Sequence, residues 1–494
     1  MKKRILLAIF LFLPCLTFAK LKRVSPESQG IESKHLLAYY EAMMNLKTGE
    51  THHIVILRHG NIIGELSPKP FSKEAQHNIY SASKTFVGVA VGLSIEDGLL
   101  RLDDKVTHFL PNSLPDTLSE NLKAMTIRHL LTMTSGIHPN WSMRNNHSDW
   151  GACFLKEKVE TPGKVFQYDS MVTYLLSSIV QQVTGKKVLD YLNERIFIPL
   201  EIHDAEWEES PEGINTGGWG LRLSPLSMAK FGQLLLNQGK WEGKQLLSAK
   251  WVKEMSANQQ STGKLEGYGY HVSLCDFPNV YRADGAFGQY IIVAPDQDMV
   301  IAINQANLSN GLHERHLIWE HLLKHVNDAP LVEGKAYKKL KKAEKCYQLP
   351  TEKSRVATPK KSALLEREIL LGKNPLGWKS LRIIPEEEQL HVHITTQANE
   401  TFVADAGLDR WNTVETTVYP PYTIKAMGRF NGIKKNFIIA GCYGWEEENR
   451  LNIHLLFTNW ISGVRLSFTT DGDKIQLWIK ENTKKEKVKV EVLQ

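Results

Sequence analysis

Ser81-Ala82-Ser83-Lys84, running into Thr85-Phe86-Val87-Gly88-Val89-Ala90-Val91, is the stretch on which the reading of this chain turns. Ser81 stands where an extended run ends. A helix is predicted from about Ala82 to Asp97, because Phe86, Val87, Val91 and Ile95 recur at helical spacing and Gly98 supplies a stop. A spacing of three puts Lys84 one turn along, on the same helix face as Ser81. A serine hydroxyl is a weak nucleophile until a base removes its proton. A lysine can be that base only when burial or nearby positive charge lowers its pKa. The start of a helix adds a partial positive field and a free backbone N–H able to hold an oxyanion. The spacing alone is weak, since Ser227-Met228-Ala229-Lys230 repeats it. That second copy falls inside a continuing helix with Lys230 facing solvent, and it reads as structural.

Outward from this stretch, strands at Ile54–Leu57 and Ile62-Ile63 flank the turn residues His59-Gly60-Asn61. Downstream, a helix capped by Thr126 ends before Thr134-Ser135-Gly136. Further helices run over Ser170–Val183, Ser224–Asn237 and Leu312–Val326. Strands are expected at Tyr268–Leu274, Gln289–Ala294 and Met299–Asn304. Strands at both ends with helices between predict an α/β fold of the α+β type: one antiparallel sheet assembled from distant segments and flanked by helices. From 364 to 494 the pattern is almost purely strand-like, predicting a second, all-β domain of sandwich or barrel type. The lysine-rich Lys335–Lys345 and the break at Thr358-Pro359-Lys360-Lys361 read as a solvated linker over 331–363.

At 494 residues the chain is too long for one ordinary core. The net charge of +6 is small for this size and gives no reason to expect a nucleic acid partner. Lys2, Lys3 and Arg4 precede the apolar run Ile5–Phe12, and Thr17-Phe18-Ala19 ends in a small residue. That is the layout of a cleaved leader over 1–19, so the first folded domain is set at 20–330 and export to the periplasm or beyond is expected. No later segment is long and apolar enough to span a membrane. Cys153, Cys275, Cys346 and Cys442 follow no metal-ligand spacing and read as buried small apolar residues.

Two further elements carry chemistry. Tyr168-Asp169-Ser170 follows Pro162-Gly163 and opens a helix. A tyrosine at a helix entrance beside a lysine can act as base or acid, although alone it also reads as a packed aromatic. Ala283-Asp284-Gly285-Ala286-Phe287-Gly288 precedes a strand. Its small residues allow a ligand close to the backbone, and the N–H of Ala286 could be a second oxyanion donor; alone it reads equally as a strand-entry turn.

Taken with Glu96–Val106, Arg128–Ile137, Pro162–Tyr168, Gly217–Leu221 and Ala229–Gly232, these elements resemble the penicillin-recognising serine hydrolases over about Lys20 to Pro330. The likeness is to the class C β-lactamase-like branch, which includes β-lactamases, D-alanyl-D-alanine carboxypeptidases, esterases and 6-aminohexanoate oligomer hydrolases. The resemblance implies an acyl-enzyme mechanism with Ser81, Lys84 and Tyr168 catalytic, and Ser170, Gly285 and Ala286 around the substrate and oxyanion. It implies no cofactor and no metal. Two departures bear on the substrate. Ser170 stands where the family's second motif usually ends in Asn, and Ala283-Asp284-Gly285 stands where a Lys-Thr-Gly is usual. Without that lysine, Arg282 is the cation that could substitute for it. The departures favour a small-molecule or peptide ester or amide with no required carboxylate. A binding protein that kept the fold and lost the chemistry is the rival expectation. His313-Glu314-Arg315-His316 and the His391/His393 pair are not taken as metal sites, because each sits in an amphipathic or solvated pattern.

Overall fold

The computed structural model describes residues 21–263, 266–359, 362–421 and 425–493. The leader expected at 1–19 lies outside the described residues. The first layer is helix α1 (Ser33–Met44), followed by strands β1 (Gly49–Arg58) and β2 (Asn61–Leu66). After helices α2 (Ser83–Glu96), α3 (Ser170–Thr184) and α4 (Pro225–Leu236), the chain returns to the same sheet through β3 (Tyr281–Gly285), β4 (Gln289–Ala294) and β5 (Met299–Asn307). The order in the eight-stranded sheet is β2-β1-β5-β4-β3, extended by the two-residue strands Ser273–Leu274, Gly267–Tyr268 and Gln260–Ser261. Ile54 of β1 lies opposite Ile303 of β5, so segments some 250 residues apart in sequence form the sheet's centre.

Strand alternation divides this sheet's two faces. Val55 and Leu57 pack in one core with Phe86, Val87 and Val91 of α2. Ile54 and Ile56 pack in another with α1 and with helix α5 (Leu312–His321). Helix α2 is buried from Ser83 through Ser94. A helix apolar on every side sits inside a core rather than on it, which here fixes its first turn firmly.

Three expectations change. The run Tyr268–Leu274 is not one strand but two short ones, broken at a loop where His271 has φ 58°. There Tyr270 N donates to Met255 O and His271 N to Leu131 O, so helix ends rather than a ladder satisfy the backbone. The helix predicted over Leu312–Val326 ends at His321 and gives way to a 3-10 turn, Leu323–His325. The expected solvated linker over 331–363 instead carries helix α6 (Lys335–Cys346), whose Leu340 is buried beside α1. Its Glu344 accepts hydrogen bonds from Tyr40 Oη and from Glu65 N. The lysines mark only its outer face.

The C-terminal region is an eleven-stranded sheet built from β6 (Glu368–Leu371), β7 (Trp378–Glu386), β8 (Gln389–Thr396), β9 (Thr401–Leu408), β10 (Asn412–Thr416), β11 (Phe437–Glu447), β12 (Arg450–Phe457), β13 (Gly463–Asp471) and β14 (Lys474–Glu481). The last segment closes it: Val488–Val490 pairs with β14 and Val492–Leu493 pairs with β6. Closure removes the exposed edges an open sheet would carry. Leu390, Val392 and Ile394 point inward, while His391 on the outer face lies between Glu386 (2.6 Å) and Asp405 (2.8 Å), which raise its pKa.

The two regions are packed together. Arg222, fully buried and paired with Glu206, lies 4.6 Å from the centroid of the Phe437 ring. Glu206 Oε1 accepts from the N–H groups of Lys434 and Lys435, and Met427 N donates to Arg144 O. Phe71 shares a small core with Leu349, Ala440 and Leu456. The four cysteines are unbridged; Cys442 is buried as expected, Cys153 and Cys275 are half-buried, and Cys346 is exposed.

Candidate active site

A single 3-10 turn, Tyr80–Ala82, holds Ser81 directly before the start of α2 at Ser83. Tyr80 holds φ 48°, a left-handed conformation that is rare for a bulky residue. The turn is tied down around it. Tyr80 N donates to Asn78 Oδ1 (3.1 Å), and Ser83 Oγ donates to Tyr80 O (2.5 Å) while accepting from Leu221 N (3.2 Å). Ser81 itself is half-buried.

Lys84 is buried, and its Nζ has three partners: Ser81 Oγ at 3.0 Å, Ser170 Oγ at 3.0 Å and Gly218 O at 2.7 Å. A neutral amine has two N–H donors and one lone pair. Gly218 O can only accept, so the lone pair is available to one of the two serine hydroxyls. Burial lowers the Lys84 pKa from its usual value to about 7; Asp169 pulls it back up, and Arg144 presses it further down. The two expected serines therefore meet at one amine with its proton loosely held.

Tyr168 brings the third group. The Lys84 amine lies 4.6 Å from its ring centroid, and its phenol hydrogen-bonds with Ser81. The ring is 37% exposed, at the mouth of the cleft, but burial of the hydroxyl end raises its pKa, so the phenol is protonated at neutral pH. Asp169 follows as the N-cap of α3, its Oδ1 accepting from Met171 N (2.8 Å) and from Trp141 Nε1 (2.9 Å). Burial raises the Asp169 pKa.

Two glycines let the walls close. A Cβ on Gly218 would stand 2.5 Å from Ser170 O, so only glycine brings the residue-218 carbonyl against Lys84. A Cβ on Gly285 would stand 2.2 Å from Ile79 O, so glycine also lets β3 run against the turn that carries Ser81. Ala286 follows Gly285 and is exposed at the strand's end. Ser81, Lys84, Tyr168 and Ser170 thus come together around one amine, and Gly285-Ala286 lies alongside them.

Arg282 does not take the place of the absent lysine. It lies opposite Ile292, on the sheet face of α1 and α5, whereas Ala283 lies opposite Ile291 on the α2 face. It is buried in an ion-pair group with Asp284 (2.7 Å) and Glu266 (2.8 Å), and Glu266 also pairs with Arg315.

Three contributors escaped the sequence reading of roles. Gly218 acts through a carbonyl, which no side chain signals, although the Gly217-Gly218 pair marks a close approach. Trp141 and Arg144 lie at the short 3-10 turn Ser142–Asn145, which Trp141 caps, and Arg144 stacks over the Trp219 ring at 4.6 Å. Among the described residues, His147, Asp149 and Cys153 bring three ligand-type atoms within 4.8 Å on the surface at α-helix 150–155. His316 is hydrogen-bonded to Asp276 (2.6 Å).

Comparison with known sequences gives a match of residues 51–326, more than half of the chain, to the model of the Beta-lactamase family. The chain belongs to the Beta-lactamase family. Members of this family are serine hydrolases. The chain is 26% identical over 234 residues to an uncharacterized protein of Alkalihalophilus pseudofirmus, a match covering 42% of this chain and 64% of that one. It is 27% identical over 279 residues to Penicillin-binding protein 4 of Amycolatopsis lactamdurans, covering 47% and 71%. Among solved structures, EstCE1, a hydrolase with promiscuous acyltransferase activity, superposes with a TM-score of 0.50 at 17% identity, covering 59% of this chain and 98% of that one. The fold is therefore of the β-lactamase/transpeptidase type with mixed α/β content, and the β domain follows it as a separate C-terminal addition. Among the described residues no helix is long and apolar enough to cross a membrane.

Proposed function

We propose that the chain is an exported serine hydrolase that forms an acyl-enzyme on Ser81 from an ester or an amide. The observation that carries this is the buried Lys84 amine, 3.0 Å from Ser81 Oγ, with a pKa of about 7. Near neutral pH a large share of the amine is unprotonated, with its two N–H groups directed to Gly218 O and Ser170 Oγ. Its lone pair takes the Ser81 proton as Oγ bonds to the substrate's carbonyl carbon. The N–H groups of Ser81 and Ala286 hold the oxyanion. On collapse the carbon–leaving-group bond breaks, and the leaving atom takes a proton from Tyr168, which is replenished from Lys84. Water then adds to the acyl carbonyl, gives a proton to Lys84, and Ser81 departs with a proton. A phenol with a raised pKa suits the donor role rather than that of a phenolate base.

Arg282 is locked in its own ion pairs, and Ala283 supplies no charge. This supports a substrate recognised without a carboxylate beside β3. Ser81→Ala is expected to abolish turnover of a chromogenic ester while thermal unfolding stays within about 2 °C, since the change removes one half-buried hydroxyl. A fluorescent phosphonate should label the native chain at Ser81. Turnover retained in Ser81→Ala, or no labelling by phosphonate or penicillin, would return the reading to a binding protein.

A further inference from the structure

The residues flanking the two expected oxyanion donors share an unusual feature. Tyr80, directly before Ser81, has φ 48°, and Phe287, directly after Ala286, has φ 64°. Neither is glycine, and bulky residues keep such conformations only when their surroundings impose them. The surroundings are identifiable. The Tyr80 and Phe287 rings meet edge to face with centroids 5.2 Å apart. Tyr80 is fully buried, and its ring lies 6.2 Å from that of Trp460, which follows β12 in the C-terminal domain. Trp460 is in turn fixed by Phe430 (5.4 Å) and Phe437 (6.0 Å). Tyr80 therefore belongs to the apolar core of the β domain, although its chain neighbours belong to the hydrolase core.

The backbone on each side is anchored independently of these rings. Gln289 Nε2 donates to the carbonyls of Ala286 (3.3 Å), Phe287 (3.2 Å) and Gln305 (2.6 Å), and Asn307 N donates to Phe287 O (3.1 Å). What the rings add is a link between the two turns, because Tyr80 and Phe287 sit on separate segments with the cleft between their neighbours.

We propose that the C-terminal β domain is part of the catalytic scaffold: Trp460 seats the Tyr80 ring, Tyr80 seats Phe287, and this aromatic stack sets the separation of the Ser81 and Ala286 N–H groups. Trp460, Tyr80 and Phe287 are positioning residues, acting on the oxyanion through backbone they hold. The inference rests on the serine hydrolase reading and assigns the β domain a role in it. A misplacement of donors by about 1 Å costs on the order of 100-fold in rate, which sets the scale of the effect.

The test uses the full chain and a chromogenic ester. Phe287→Ala and Trp460→Leu are expected to lower kcat about 10- to 100-fold with KM within about twofold, because the oxyanion forms after binding. Trp460→Phe, which keeps a ring in the stack, should recover kcat to within about threefold of the native chain. Labelling of Ser81 by a phosphonate, whose tetrahedral adduct needs the same N–H groups, should slow in the same ratio. Ser81→Ala run alongside separates the two failures. If it retains turnover, the nucleophile assignment fails. If it is inactive while folded Phe287→Ala and Trp460→Leu keep the native kcat, the scaffold proposal is overturned and the hydrolase reading stands. Should Trp460→Leu not fold, Phe287→Ala decides alone, since Phe287 is only half-buried.

Discussion

In Ser81–Lys84 the amine is buried and turned onto its own serine, Ser170 and the Gly218 carbonyl. In Ser227–Lys230 the amine reaches away to the carbonyls of Leu200 (2.8 Å) and Glu201 (3.0 Å), and the serine donates to Asp204 Oδ1 (2.7 Å). Lys230 is half-buried rather than solvent-facing as its helix position suggested, because those carbonyls end a preceding helical segment and draw it in. Both pairs satisfy the same spacing. What separates them is where each donor is directed. Ser81, in the 3-10 turn that leads into a core helix, is left half-buried beside its lysine, whereas Ser227, three residues into α4, is buried and held by the cap residue Ser224 and by Asp204. Spacing makes contact possible; burial and competing acceptors decide whether it becomes an acid–base pair.

The largest expected contrast lies between the two serines. Ser81→Ala should reduce kcat/KM for an activated ester by at least about 1,000-fold, the scale of removing an activated nucleophile. Ser227→Ala should leave kcat/KM within about twofold and lower the melting temperature, since it removes the hydroxyl's two hydrogen bonds, to Ser224 and to Asp204. An equal loss in both would erase the distinction.

The lysines should differ in stability as well as in rate. In the unfolded chain Lys84 has its ordinary pKa of 10.5, and in the folded chain about 7. Between these values the unfolded chain holds a proton that the folded chain has released. Stability therefore rises with pH from 7 toward 10.5 and falls as pH drops through that window. At about 1.4 kcal/mol per pH unit, burying this amine opposes folding at neutral pH by a few kcal/mol. Lys84→Met should therefore melt higher than the native chain at pH 7 while losing nearly all turnover. Lys230→Met should melt lower, because two carbonyls lose their donor, and should keep turnover. Calorimetry at pH 7 checks both signs.

The same shift governs rate. kcat/KM should climb with pH through a midpoint near 7, as Lys84 becomes available to accept a proton, and then level while the raised Tyr168 phenol stays protonated. A midpoint near 10 would mean that the amine is not buried in solution, and the contrast with Lys230 would vanish.

Much of this was legible from residue types. The helix after Ser81, the cap at Thr126 and the helix opening at Ser170 follow from local patterns, and the structure has each: α2 begins at Ser83, Thr126 caps with His129 in a capping box, and α3 begins at Ser170. The β-rich C-terminal region was legible for the same reason, as period-two alternation needs no knowledge of partners. Its closure was not, because that depends on Val488–Val490 and Val492–Leu493 pairing with strands far apart in sequence. Helix α6 was read as solvated since its lysines outnumber its buried positions; the docking rests on Leu340, Glu344 and the following Tyr347. The environment of Tyr80 is equally non-local. Nothing within ten residues of it announces Trp460.

The smallest effect that still discriminates is at Ser170, the partner that Lys84 has and Lys230 lacks. Ser170 Oγ accepts from the amine, and such an acceptor favours the ammonium form. Ser170→Ala removes it, which should move the rate midpoint to lower pH and reduce kcat about 10-fold as the amine loses one of its three constraints. Ser170→Asn offers an amide oxygen in the same direction and should keep kcat within about threefold, with the midpoint returning toward the native value. Ser227→Ala, tested identically, should shift neither quantity, because its hydroxyl and the Lys230 amine have no common task. A midpoint unchanged in Ser170→Ala would show that Gly218 O and Ser81 alone set the lysine's proton affinity, leaving Ser170 a contact of packing.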